Sequence, residues 1–368
     1  MSVSRRSALQ GLAAIAGASA LGRAEIAHAT EGTAVRSLGS IAAERGISFG
    51  SAIDMDTLTN PAQAALYTHH ARVFTSDNAM KFGALRPIEG PANFDNADKL
   101  VAFCAEAKIP LRGHCLIWNE WTPEWVRKLS SQRCAYWLDR HIDEVVGRYA
   151  GKLQQWDVVN EPFWPQHGRP GGFRDGPWLA AMGKDYVVRA LKRARAAHAA
   201  GKIAINEAGP EWEQTFGTPA KPFRDGLLGL IDEVQAAGVT LDSVGLQCHW
   251  FPEFAFDASR FTGYLHALAG RGVAISLSEI DINDARFSGS IAARDAKVGR
   301  RYGQLITAAL REPKVSAFLT WQLSDNASWI NSVPALWGPG GRRPRPLPFD
   351  AAYQPKAAYA AIAKALAG

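Results

Sequence analysis

The sequence predicts an α/β fold, a single (β/α)8 barrel of the TIM type. Three observations carry that prediction. Eight strand-like runs recur over about 320 residues, and a helical stretch or long loop follows each. No low-complexity linker divides them. Polar residues gather at the C-terminal ends of the runs, where barrels of this kind build their sites.

The runs read "ISFGSAID" (47–54), "ARVFTSDN" (71–78), "IPLRGHCLIW" (109–118), "LQQWDVVNEP" (153–162), "KIAINE" (202–207), "SVGLQCHW" (243–250), "AISLSEIDI" (274–282) and "VSAFLTWQLSD" (315–325). Between them, "ADKLVAFCAEAK", "DYVVRALKRARAAHAA", "FRDGLLGLIDEVQAAG" and "GRRYGQLITAALRE" repeat apolar residues at spacings of three and four, which predicts helices. Gly238 and Gly272 stand where two of these helices should end. A doubly wound open sheet would carry a Gly-rich phosphate loop after its first strand. "FGSAID" holds no such motif.

With 47% hydrophobic and 21% charged residues, the chain has the material for a large core. Twelve tryptophans offer stacking platforms for flat ligands, such as sugar rings or bases, as well as core filler. Residues 1–29 read as a cleavable signal peptide of the twin-arginine type. Arg5 and Arg6 form its charged region, residues 8–22 are apolar and too short for a comfortable span, and Ala27-His28-Ala29 fits the cleavage rule. Export to the periplasm or the medium is therefore expected, leaving residues 30–368 as the barrel, with no membrane span once the signal is removed. The formal charge is +6; loss of residues 1–29 removes Arg5, Arg6, Arg23 and Glu25 and leaves +4. That balance, without a basic stripe, gives no support to a nucleic-acid partner. The run "GRRPRP" (341–346) reads as a solvated loop that could touch an anion. Cys104, Cys115, Cys134 and Cys248 form no C-x-x-C pair, so no zinc or redox motif is present. Three disulfide pairings remain open, and Cys115 and Cys248 read as buried.

The polar strand ends are Asp77 and Asn78, His114, Asn160 and Glu161, Asn206 and Glu207, Gln247 and His249, Glu279 and Asp281, and Trp321. In a barrel all of them meet on one face. Singly, each would be an ordinary solvated residue or a satisfied core group; jointly they make a site. His114, His249 and Glu279 could be assembled into a metal site on paper, but each has a simpler role. No metal and no cofactor is expected. Paired carboxylates flanking a bond are what glycoside hydrolysis needs. Glu161 is the candidate proton donor and Glu279 the candidate nucleophile. Their separation would decide between a covalent intermediate with retention and a water-mediated inversion. Period-two geometry puts Glu279 and Asp281 on one side of their strand, within reach of His249. Asn160 could bond the sugar 2-hydroxyl.

The ordered motifs resemble glycoside hydrolase family 10, the retaining endo-β-1,4-xylanases, over roughly residues 40–366. "DNAMKFGALRPIEGPANFDNADKLVAFC" resembles E-N-x-M-K-W…F-x-F-x-x-A-D. "LRGHCLIW" is similar to R-G-H-x-L-V-W, and "WDVVNE" to the acid/base strand. "VGLQCHW" resembles G-x-Q-x-H, "ISLSEIDI" the T-E-L-D-I nucleophile strand, and "WQLSDNASWI" W-G-x-x-D-x-x-S-W. The tail "LPFDAAYQPKAAYAAI" is similar to L-L-F-D…K-P-A-Y. The resemblance implies Glu161 as acid/base and Glu279 as nucleophile, supported by Asn160, Gln247, His249 and Asp281. It implies that Asn78, Lys81, His114, Trp118, Trp321 and Trp329 hold sugars on the non-reducing (glycone) side. It further implies a polysaccharide substrate (xylan), a monomer and no cofactor. Four departures stand out: Asp77 replaces the family's Glu, "WNEW" replaces W-H-x-Q, "NEAG" replaces N-D-Y-N, and Phe82 replaces Trp. Asp77, Asn119 and Trp121 are thus candidate substrate-binding positions with altered chemistry, and Trp121 in place of Gln should reshape the second glycone subsite. Two alternatives follow: the same mechanism on a different or decorated β-glycan, or a carbohydrate-binding protein without catalysis.

Overall fold

The computed structural model describes residues 35–368. The expected signal peptide (1–29) lies outside them. Eight parallel strands form the barrel: β1 (Ser48–Ile53), β2 (Val73–Ser76), β3 (Leu111–Trp118), β4 (Gln155–Asn160), β5 (Lys202–Glu207), β6 (Ser243–Leu246), β7 (Ala274–Ile282) and β8 (Val315–Thr320). They follow chain order around the ring, and β8 pairs with both β7 and β1, so the sheet closes. Each strand is covered on both faces, which is why the runs are apolar almost throughout. Phe49, Phe74, Trp156, Ile203, Val244, Leu277 and Phe318 are fully buried. Gly113 on β3 permits a close approach between strands: a Cβ there would meet the Trp156 ring at 2.3 Å.

A main helix follows each strand: α1 (Pro61–His70), α2 (Asp95–Ala107), α3 (Ser131–Arg148), α4 (Asp185–Ala197), α5 (Ala220–Ala236), α6 (Ala258–Ala269), α7 (Ile291–Ala309) and α8 (Ala357–Ala367). Four of these helices start on polar caps. Asn60 accepts from the amides of Ala62 and Gln63, with Pro61 at the first position; Ser130, Asp257 and Ser290 cap α3, α6 and α7. Gly238 and Gly272 follow α5 and α6 with φ of 80° each, as expected of glycines past helix ends. The four cysteines are buried and free. No helix among the described residues is long and apolar enough to cross a membrane.

Two runs leave the sheet well before their expected ends, and both breaks lie at the C-terminal mouth. "SVGLQCHW" leaves the sheet after Leu246, turns through Cys248 (φ 62°), and pairs again with β7 through His249 opposite Asp281. "VSAFLTWQLSD" stops at Thr320, and Gln322 takes φ 75°. Glu161, directly after β4, has φ 49°. Left-handed backbone at such residues costs about 1–2 kcal/mol each, and here it re-aims side chains at the strand ends.

His70, at the end of α1, is buried and accepts from the Leu38 amide at 3.2 Å. Burial and the neighbouring His69 and Arg72 push its imidazole down to about 3. The unfolded chain therefore binds a proton that the folded chain refuses. The resulting stability is present above the ordinary histidine value and is lost as pH falls from there toward 3. Denaturant midpoints of His70→Asn, which keeps an acceptor for Leu38, should fall less steeply across that range than those of the parent; equal slopes would refute the assignment.

Candidate active site

A cavity of about 1090 Å³ opens at the C-terminal ends of the strands. Of the residues expected from sequence, Asp77, Asn78, Lys81, His114, Trp118, Trp121, Asn160, Glu161, Gln247, His249, Glu279, Trp321 and Trp329 all line it. Asp281 stands behind His249 rather than on the surface, as a supporting group would.

Glu279, on β7, is held from both sides. Asn206 Nδ2 donates to its Oε1 at 2.6 Å, and His249 Nε2 lies 3.1 Å from its Oε2. The other imidazole nitrogen is 2.9 Å from Asp281 Oδ1, and Trp329 Nε1 donates to Asp281 Oδ2 at 2.8 Å. Burial works against the charge on His249, but Asp281 and Glu279 outweigh it and hold the imidazole well above its usual value. Burial likewise pushes Glu279 up, but the His249 bond and the charges of His114 and His249 prevail and lower it. An ionised carboxylate, fixed in orientation by a cation and an amide, is suited to nucleophilic attack.

Glu161 has different surroundings. Gln247 Nε2 donates to Oε1 at 2.8 Å and Trp118 Nε1 to Oε2 at 3.2 Å. Arg174 Nη2 lies 2.5 Å from Oε2, and Arg174 Nε donates to the Glu161 carbonyl at 3.0 Å. The guanidinium of Arg174 also stacks over Trp164 at 4.4 Å and pairs with Glu120. Amides link the two acids. Asn160 Oδ1 accepts from Asn206 at 2.8 Å and from Gln247 at 3.3 Å. Both lone-pair directions of that oxygen are thereby used, leaving the Asn160 amide nitrogen as the group available to a ligand.

Beneath the acids, Arg112 binds Asp157 (Nε, 2.8 Å), Ser276 (Nη1, 2.9 Å) and Asn206 (Nη2, 3.3 Å), tying β3, β4, β5 and β7 together. Asp157 Oδ2 meets His114 Nδ1 at 3.0 Å. Burial opposes the charge on His114, but Cys115, Asp157 and Glu279 raise it to about 10.

The rim is aromatic. Lys81 Nζ bonds Asn78 at 3.0 Å and sits among Trp118, Trp121 and Trp321, closest to Trp121 at 4.8 Å. Trp121 is 49% exposed and lies nearly parallel to Trp118. Across the cleft, Phe216 is 51% exposed and contacts Trp164, Phe251 and Phe254. Exposed aromatics at a cleft mark a binding surface. Glu211, also lining the cavity, is buried, and that burial lifts its carboxyl to about 7 although it accepts from the amides of Gly209 and Cys248.

One expected site residue is not in the cleft. Asn119 follows Trp118 and faces the opposite way, as alternation along an extended chain requires. Its Oδ1 accepts from the Trp178 amide at 3.1 Å, at the start of the short helix Pro177–Met182, and its Nδ2 donates to Tyr186 Oη at 3.3 Å. The sugar-binding assignment of Asn119 is therefore corrected to a structural one. Asn119→Ala should cost about 1–2 kcal/mol of stability in chemical denaturation and leave KM unchanged; an altered KM with unaltered stability would reverse the correction. Glu207 also turns from the cleft and accepts from the amides of Phe163 and Ala208. Sequence reasoning gives Arg174 no role, and places Asn206 at the site without its bond to Glu279. Asn206 was visible as a polar strand end; Arg174, in the loop "GGFRDGP", carried no signal.

Comparison with known proteins agrees with this geometry. The profile of Glycosyl hydrolase family 10 matches residues 37–365. Endo-1,4-beta-xylanase A of Caldicellulosiruptor sp. (strain Rt8B.4) is 32% identical over 84% of this chain, which spans 45% of that relative's length. The thermostable celloxylanase of Thermoclostridium stercorarium is 32% identical over 85% of this chain and 83% of its own. Among solved structures, xylanase B from Clostridium stercorarium F9 superposes with a TM-score of 0.78 at 28% identity, covering 89% of this chain and 99% of its own. Xylanase 10B from Thermotoga petrophila RKU-1, in complex with xylobiose, gives a TM-score of 0.79 at 26% identity, covering 90% and 97%. A match over nearly all of the described barrel means that the chain belongs to glycosyl hydrolase family 10.

Proposed function

We propose that the protein is a retaining, endo-acting hydrolase of β-1,4-xylosidic bonds in xylan. The observation that carries this reading is a pair of carboxylates lining one cleft and joined through the amides of Asn160, Asn206 and Gln247. Glu279 is buried between a histidine cation and an amide. Glu161 is bonded by Gln247, Trp118 and Arg174. The printed activities of the relatives support xylan as the substrate.

In the first step Glu161, protonated, gives its proton to the glycosidic oxygen while Glu279 attacks the anomeric carbon. The C–O bond to the leaving sugar breaks and a glycosyl ester to Glu279 forms. In the second step Glu161, now a base, takes a proton from water, whose oxygen displaces Glu279 from the anomeric carbon. Two inversions give retention. The Asn160 amide nitrogen donates to the 2-hydroxyl, a bond that strengthens in the transition state. Proton NMR of xylohexaose hydrolysis should show the β-anomer of the new reducing end before mutarotation. The α-anomer appearing first would overturn the mechanism, and absence of turnover would overturn the activity.

A second reading, a different or decorated β-glycan, draws on Trp121, which stands half exposed over Lys81. Rates on xylan, glucuronoxylan, β-glucan and aryl glycosides decide between them. We also propose that the enzyme acts as a monomer, since one chain supplies every residue named in the cleft, and that "SRRSALQ" directs export. Replacing Arg5 and Arg6 by lysine should retain the protein in the cytoplasm; unchanged export would refute the twin-arginine route.

A further inference from the structure

The run "GRRPRP" (341–346) lies on the long loop after β8, and its three arginines have different fates. Arg342 Nη2 donates to the carbonyls of Ala285 at 2.7 Å and Phe287 at 2.9 Å. Arg345 forms a two-pronged pair with Asp295, both contacts at 2.9 Å. Arg343 does neither. It is exposed, makes no ion pair among the described residues, and lines the same cavity as Glu161 and Glu279. Its guanidinium lies over the Trp337 ring, 5.0 Å from the centroid.

The loop that presents it is tied down on both sides. Gly338 N donates to Arg342 O at 2.8 Å, closing a tight turn through Gly340 (φ 68°) and Gly341 (φ 75°). Asn283 Nδ2 holds the Leu336 carbonyl at 3.1 Å, and Asn331 Nδ2 holds that of Pro344 at 3.2 Å. The other cationic side chains of the cleft have acidic neighbours. Lys81 lies 3.8 Å from Asp77, Arg127 is 3.9 Å from Glu124, and Arg174 is bound to Glu161. Among the described residues, Arg343 is thus the one lysine or arginine of the cleft without an acidic partner.

We propose that Arg343 binds the carboxylate of a uronic-acid branch on the glycan, making the enzyme selective for acidic, branched chains. This rests on the reading of the protein as a xylan hydrolase. An unbranched xylan backbone is uncharged, so it gives a free guanidinium no ionic partner. A branch must leave the floor, where the chain passes between the two acids, and reach the rim, where Arg343 stands. Contact with the Trp337 indole restricts the guanidinium, and its N–H groups, which can meet a carboxylate through two parallel bonds, have no acidic partner of their own. Because the ring holds the group in place beforehand, little side-chain freedom is lost on binding.

The test compares glucuronoxylan with the same polymer after reduction of its carboxyls to primary alcohols, which keeps the branch and removes the charge. The quantity read is the ratio of the two kcat/KM values within each variant, so a general loss of activity cancels. The parent should favour the acidic polymer about two- to fivefold at low ionic strength, the scale of an exposed charge pair, and added salt should erode the preference. Arg343→Gln should bring the ratio to one, and Arg343→Lys should retain part of it. Equal rates of the parent on both polymers, or a preference that survives in Arg343→Gln, would overturn the proposal. Failure of the parent to turn over xylohexaose would instead remove the reading beneath it.

Discussion

Glu279→Gly should lower turnover of an aryl β-xylobioside by on the order of 10⁵-fold or more, the scale seen when a nucleophile is deleted from an otherwise intact site. The physical reason is the lost covalent route: without the carboxylate, no ester forms, and water meets the anomeric carbon without activation. The substitution also leaves a gap on the Asn206 and His249 side of the cleft, where a small anion fits. Added azide should attack the anomeric carbon from the face Glu279 occupied, expel the phenolate and give the α-glycosyl azide. His249, deprived of one of its two carboxylates, keeps Asp281, so the fold should survive; thermal denaturation checks this. Near-parent activity in this variant would remove Glu279 from the mechanism.

Glu161→Ala should fall differently on different substrates. On xylan the leaving sugar needs a proton, and the rate should drop by about 10²–10⁴-fold, the usual contribution of a positioned acid. On an aryl glycoside whose phenol is acidic, the first step needs no proton. Phenolate should therefore appear in a burst, followed by a slow phase, because no base activates the water that must release the ester. Azide needs no base. Entering on the vacated Glu161 side, it should displace Glu279 and give the β-glycosyl azide, restoring the rate. The two variants thus yield opposite anomers. The same anomer from both, or no rescue in either, would mean that the roles are wrongly assigned.

The legible parts of this chain are those in which burial dictates the residue. β5 and β7 coincide with the runs read from sequence, residue for residue, because each is buried without a break after its first residue. The pairing of His249 with Glu279 and Asp281 was also readable, since period two places both acids on one side of β7. What escaped was geometry that local patterning does not encode. Cys248 and Gln322 take left-handed backbone without being glycine or asparagine, so both strand ends were read too long. Asn119 was placed by its motif beside Trp118, yet the same alternation that served β7 turns it to the barrel's outside, where it bonds Trp178 and Tyr186. Trp118, expected to hold a sugar, also donates to Glu161. Arg174 reaches that same carboxylate from a glycine-rich loop whose path no pattern predicts.

The Arg112 network has a consequence for how this enzyme can change. Arg112 joins Asp157, Ser276 and Asn206 across four strands, and Asn206 in turn holds Glu279. The dipoles facing the developing charge are therefore bolted to the sheet and need little rearrangement when the barrier is crossed. Trp121, Phe216 and Arg343 stand on loops outside that frame. Loop grafts should accordingly exchange sugar preference while leaving the intrinsic bond-breaking barrier intact, whereas a single change at Arg112 should raise the barrier for every substrate alike.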